Sequence, residues 1–118
     1  MKLAVAKELT SGEKRVALIP ESVKKLVGKG FTILVEKGAG EGSYIADSEY
    51  QEAGATLITT AEFQSADAIL KVRPPSPAEI GFYKDGGWVF AMLDPINRAE
   101  NLPVFEKKKT TAFAMEFI

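Results

Sequence analysis

The sequence predicts an α/β fold, a mainly parallel sheet whose strands are joined by helical crossovers. Three observations lead to it. Six short apolar runs recur along the 118 residues, helix start and stop signals fall between them, and the 46% hydrophobic and 26% charged composition is that of an ordinary globular chain. Strand-like runs that alternate with helical segments are the pattern of parallel strands with crossover helices. The length supports one domain.

The strand-like runs cover residues 3–6, 32–35, 56–58, 68–72, 88–92 and 111–115. Between the first two, Pro20 suits the opening turn of a helix, Val23, Leu26 and Val27 form an apolar stripe, and Gly30 supplies a left-handed stop. Asp47 or Ser48 is expected to cap a second helix through Tyr50 that ends at Gly54. Thr59 with Glu62 and Ser76 with Glu79 have the spacing at which a hydroxyl takes a free backbone N–H and a glutamate reaches back to the cap. Arg73-Pro74-Pro75-Ser76-Pro77 enforces an extended exit from the fourth strand. Asn101 opens the last helix, with Pro103 in its first turn. The final residues, 111–118, read as an apolar strand with no helix after it, so the chain is expected to be the front piece of a longer protein.

Composition removes several chemistries. With no cysteine there is no disulfide scaffold, thiolate catalysis or cysteine-ligated zinc, and with no histidine there is neither a Ser-His-Asp triad nor a histidine metal site. Acid–base work would fall to Asp, Glu, Lys or Tyr. A net charge of -1 and a longest basic run of only three residues, Lys107-Lys108-Lys109 at a helix end, argue against nucleic acid as a partner. No apolar run approaches the ~20 residues of a membrane span, and the amino terminus lacks the pattern of a signal peptide, so a cytosolic chain is expected.

Gly38-Ala39-Gly40-Glu41-Gly42-Ser43 follows a strand and resembles a phosphate-binding turn at first sight. A dinucleotide fingerprint requires Gly-x-Gly-x-x-Gly opening a helix directly, so that free N–H groups face the pyrophosphate. Here the third glycine arrives one position early, and 43–46 intervene before the next helix signal. The loop is therefore expected to shape the backbone through positive φ or close packing.

Arg15 and Lys71 are the candidate cleft-lining residues. Arg15 follows the first strand, where a planar guanidinium can hold a carboxylate or phosphate, and Lys71 interrupts a buried run at the carboxyl end of the fourth. The two are expected to meet at the carboxyl edge of the sheet as one basic rim. For each a structural reading stays open, a surface arginine bridging loop and helix and a lysine whose stem packs while its head reaches water. Asp94 and Asn97 are read first as turn and cap residues. No catalytic or metal-ligating residue is assigned.

Val5-Ala6-Lys7-Glu8, Glu13-Lys14-Arg15-Val16-Ala17, Val35-Glu36-Lys37-Gly38-Ala39-Gly40, Ala53-Gly54-Ala55 and Leu70-Lys71-Val72 resemble, in that order, the N-terminal domain shared by alanine dehydrogenases and nicotinamide nucleotide transhydrogenases. The transhydrogenase alpha subunit is the nearer branch, because alanine dehydrogenases place a pyruvate-binding histidine after the fifth strand and this chain reads Leu93-Asp94-Pro95. The resemblance implies a flavodoxin-like three-layer sandwich, the incomplete first domain of a two-domain protein whose separate Rossmann domain carries the glycine fingerprint. It implies the front portion of the NAD(H)-binding component of a proton-translocating transhydrogenase. Partners would be the NADP(H)-binding and membrane components, which would hold it peripherally at the membrane from the cytoplasmic side. NAD(H) is the cofactor expected of the complete protein, with none tightly bound to this piece, and a homodimer stays open. Arg15 and Lys71 match the arginine and lysine that hold pyruvate in alanine dehydrogenases. Two rival readings stand beside it: an alanine dehydrogenase-like domain with altered substrate, and a non-catalytic carboxylate-binding module.

Overall fold

A computed structural model describes residues 1–117; Ile118, at the end of the expected last strand segment and of the 1–118 domain, lies outside them. Among the described residues β1 (Lys2–Val5), β2 (Thr32–Glu36), β3 (Thr56–Ile58), β4 (Ala68–Leu70), β5 (Trp88–Ala91) and β6 (Thr111–Ala114) form one sheet in the order β3-β2-β1-β4-β5-β6. Every pairing is parallel. The helices are α1 (Pro20–Gly28), α2 (Asp47–Glu52), α3 (Pro77–Ile80) and α4 (Asn101–Lys108), with a 3₁₀ helix at Thr60–Ser65 between β3 and β4.

The layers follow from the order of the strands. The chain steps outward from β1 to β2 to β3, returns to place β4 beside β1, and then steps the other way, so right-handed crossovers put the two sets of helices on opposite faces. Alternating side chains feed both faces. Val5, Ile33 and Val35 pack with Val23 of α1 and Tyr50 of α2, while Ala4, Leu34, Ile69 and Val89 pack with Phe63, Ile80 and Phe105. The result is the three-layer α/β sandwich expected. On β5 and β6, the face opposite Val89 presents an aromatic group: Phe90 and Phe113 stack at 4.6 Å and Trp88 meets both edge-on.

Local signals explain most element ends. Pro20 sits in the first turn of α1, and Gly30 takes φ 95° just beyond it. Ser76 caps α3, its hydroxyl accepting the Glu79 N–H while Glu79 accepts the Ser76 N–H at 3.0 Å. Around Thr59, Glu62 accepts the backbone N–H at 3.1 Å, but the segment winds as a 3₁₀ helix. Two expected caps are used differently. Ala46 precedes α2 and donates its N–H to Glu49, while the Asp47 carboxylate turns back to accept the Gly38 N–H at 3.0 Å. Asn101 is the first residue of α4, following Glu100, and its buried amide donates to the Pro75 carbonyl at 2.7 Å. A polar side chain with a buried acceptor in reach gains more there than at a solvated helix end.

Candidate functional site

The strand order reverses between β1 and β4, and in open parallel sheets the crevice at such a point, outside the carboxyl ends, is where ligands bind. A cleft of ≈ 520 Å³ lies there. Its walls are Arg15 and the apolar Val16–Leu18 stretch from the loop after β1, Leu70 and Lys71 at the end of β4, and Phe90, Met92 and Met115 from the β5 and β6 side. Such a volume suits one ring system with its substituents.

Arg15 stands at the rim with its side chain 64% exposed, yet it is not loose. Its backbone N–H and Nε both donate to Glu13 Oε2 at 2.9 Å, and Nη2 donates to Oε1 at 2.8 Å. The hydrogen bond from the Arg15 side chain is the main reason the Glu13 carboxyl falls to about 2, and the same bond raises the guanidinium. Behind this turn, Ser43 Oγ donates to the Lys14 carbonyl at 2.5 Å.

Lys71 is buried, its side chain 1% exposed, and its ammonium lies 3.1 Å from Glu79 Oε2 and 3.5 Å from Glu8 Oε1. Glu8 in turn accepts the backbone N–H groups of Val72 and Arg73, both at 2.9 Å, so the exit of β1 is stitched to the exit of β4. Arg15 and Lys71 thus line one cleft, but the rim is not basic: each cation is matched by carboxylates from the chain itself, three in all. No sequence pattern marks Glu8 or Glu79 for this site. Glu79 is legible only as a capping residue, and Glu8 only as the end of the Val5-Ala6-Lys7-Glu8 motif, with nothing local to pair it with hydrogen-bond donors 64 and 65 residues away.

Asp94 and Asn97 form a turn. Asp94 has φ 44°, accepts from Asn97 Nδ2 at 3.1 Å, and donates its own N–H to Glu116 Oε2 at 2.7 Å. Bonds from the Asp94 and Leu93 amides hold the Glu116 carboxyl below its usual range, the Asp94 bond contributing most. Neither Asp94 nor Asn97 lines the cleft.

The glycine loop holds most of its own amides. Gly38 N–H goes to Asp47, and the amides of Ala39, Glu41, Ser43 and Ile45 go to carbonyls of residues 36–40. A Cβ on Gly40 would come within 2.8 Å of the Ile45 carbonyl and 2.9 Å of Tyr50, and one on Gly42 within 3.0 Å of the Lys14 backbone. The loop is built for close approach of backbone. Among the described residues no cluster of three potential metal ligands occurs.

Comparison with known proteins places these features in context. The family model described as "Alanine dehydrogenase/PNT, N-terminal domain" matches residues 4–118. An NAD(P) transhydrogenase subunit alpha from Rhodospirillum rubrum is 42% identical over all of this chain and 33% of its own length. The transhydrogenase of Sinorhizobium meliloti superposes with TM-score 0.94 at 46% identity over 98% of this chain and 35% of that one, and an L-alanine dehydrogenase with TM-score 0.90 at 33% identity over 97% and 32%. The chain therefore spans about a third of these relatives. With a family model covering nearly every residue and a shared architecture beneath it, the chain belongs to the alanine dehydrogenase/PNT N-terminal domain family and is closely related to the NAD(P) transhydrogenase alpha subunit.

Proposed function

We propose that this domain forms one wall of the nicotinamide cleft in the NAD(H)-binding component of a proton-translocating NAD(P) transhydrogenase. The observation that carries the reading is the cleft at the β1/β4 reversal, with apolar walls for a flat ring and Arg15 at its rim as hydrogen-bond donor. A nicotinamide, when bound, gives or accepts hydride. The chain's own residues orient it: Leu70, Phe90 and Met92 offer apolar contact to the ring and exclude water from it, while Arg15 offers N–H donors to the carboxamide oxygen. The donor set does not suit the remainder of a dinucleotide, because the amides of Gly38, Ala39, Glu41, Ser43 and Ile45 are already bonded and Glu41 and Asp47 bring negative charge beside the loop. The pyrophosphate belongs to a second, Rossmann domain across the cleft. NADP(H)-binding and membrane components are the partners of the complete assembly, and this domain lies on the cytoplasmic side at the membrane surface through them. No helix among the described residues is long and apolar enough to cross a membrane.

Against alanine dehydrogenase chemistry stands the absence of histidine, with Asp94 locked in its turn where a keto-acid-binding side chain would be needed. Calorimetry tests the reading. NADH should bind the isolated chain with a Kd of about 1 mM or weaker, ~4 kcal/mol or less, and at least a hundredfold more tightly to a polypeptide that joins it to its Rossmann domain. Micromolar binding to the isolated chain, or turnover of pyruvate with ammonia by the joined protein, would overturn it.

A further inference from the structure

The carboxylate of Glu13 engages Arg15 as an anionic ligand would, but it approaches from the loop's own side. It takes Nε and one Nη2 hydrogen of the guanidinium together with the Arg15 backbone N–H, so that three bonds from one residue converge on one carboxylate. Of the five N–H donors of a guanidinium, this leaves the two on Nη1 and the second on Nη2. The Glu13 side chain is only 9% exposed, and its own N–H is held by the Thr10 carbonyl at 3.0 Å. The neighbouring residue is fixed as well, by Ser43 Oγ on the Lys14 carbonyl and by Gly42 packed against the Lys14 backbone. A long, exposed arginine ordinarily samples many rotamers, and immobilising one on ligand binding costs about 0.5–1.5 kcal/mol.

From this geometry we propose that Glu13 is a positioning residue, which fixes the Arg15 guanidinium in advance so that its three remaining donors are presented at the cleft to an oxygen acceptor of the ligand, the carboxamide carbonyl of a nicotinamide. The glycine loop then has a role in the site: Gly42 and Ser43 brace the turn that Glu13 and Arg15 share. The ligand identity rests on the function proposed above; the positioning role does not.

The test uses the Nε–Hε signals of the three arginines, Arg15, Arg73 and Arg98, in ¹⁵N NMR spectra of this chain. Arg15 Nε–Hε should exchange with water about tenfold more slowly than that of Arg98, whose nearest carboxylate is 3.8 Å away. Glu13→Ala should abolish the difference. Glu13→Gln, which keeps an acceptor and loses the charge, should retain part of it, with the backbone amide spectrum showing that the variant is folded. Titration with reduced nicotinamide mononucleotide should shift the Arg15 signal in the parent chain and bind about fivefold more weakly to Glu13→Ala. An Arg15 signal that already exchanges as fast as Arg98 in the parent chain, or that is unchanged by Glu13→Ala, overturns the positioning role. Protected Arg15 with no response of any cleft residue to the nucleotide upholds the positioning role and overturns the nicotinamide reading.

Discussion

Replacing Lys71 by Met removes the ammonium between Glu8 and Glu79 while keeping the volume of the stem. Glu8, with its side chain 2% exposed, is then a buried carboxylate without a counter-charge, whereas Glu79, 19% exposed, can rotate toward water. Breaking a buried ion pair by deleting one partner costs ~3–5 kcal/mol. The lower end applies here, about 3 kcal/mol, because Glu8 keeps the N–H groups of Val72 and Arg73. Urea unfolding followed through Trp88, the sole tryptophan, measures the loss as a fall in midpoint at constant slope. Adding Glu8→Gln to the lysine variant removes the uncompensated charge and should recover about 1–2 kcal/mol. A loss below about 1 kcal/mol for Lys71→Met, or no recovery in the double variant, would refute the claim that this carboxylate depends on the lysine.

Tyr50→Phe should cost about 1–2 kcal/mol in the same assay, since the hydroxyl of this fully buried residue donates to the Leu18 carbonyl at 2.7 Å and its loss leaves that acceptor bare. Gly40→Ala should cost about 1–3 kcal/mol through overpacking against Ile45 and Tyr50. Gly42→Ala should move the Lys14 and Arg15 amide resonances, because its new methyl meets the Lys14 backbone at 3.0 Å, and an unchanged spectrum would show that the brace is slack. Glu13 and Asp67 both have folded-state pKa values below their ordinary ones, Glu13 chiefly from the Arg15 side-chain hydrogen bond and Asp67 chiefly from the Lys2 N–H and then Lys84. The Glu13 contribution to stability is therefore present above pH 4.5, the ordinary value for glutamate, and is lost as pH falls toward about 2, while that of Asp67 is present above its ordinary 3.8 and is lost at lower pH. Glu13→Gln and Asp67→Asn should each flatten the acid limb of a stability–pH curve, and an unaltered limb in both would contradict the assignment.

The sheet is legible in the sequence because its signals are local. Each strand is a short apolar run, and the Pro20, Gly30 and Ser76–Glu79 signals act within one turn of chain. Arg15 and Lys71 are legible as carboxyl-edge residues for the same reason. Which charge faces which is not. Glu8 meets Lys71 only because strand order places β1 beside β4, and that order depends on how crossovers turn, not on any pattern around residue 8. Asp47 and Asn101 show the same limit. Their local chemistry suits a helix cap, but folding offers each a distant partner, Gly38 N–H and the Pro75 carbonyl, that competes successfully.

The Glu8 stitch also bears on the time course of folding. Pairing β1 with β2 closes a loop of about 30 residues, whereas joining Glu8 to Val72 closes one of 64. Doubling a loop adds only ~0.6 kcal/mol of closure entropy, but nothing rewards that closure until β4 has docked. The β1–β3 half, with its nearby contacts, is then the expected nucleus, and the stitch is expected to form after the barrier has been crossed. Interactions made that late govern how fast a protein comes apart. In stopped-flow experiments a Glu8→Gln chain is expected to refold at the parent's rate and unfold faster, which makes this carboxylate a lock on the assembled sheet and not a guide to its assembly.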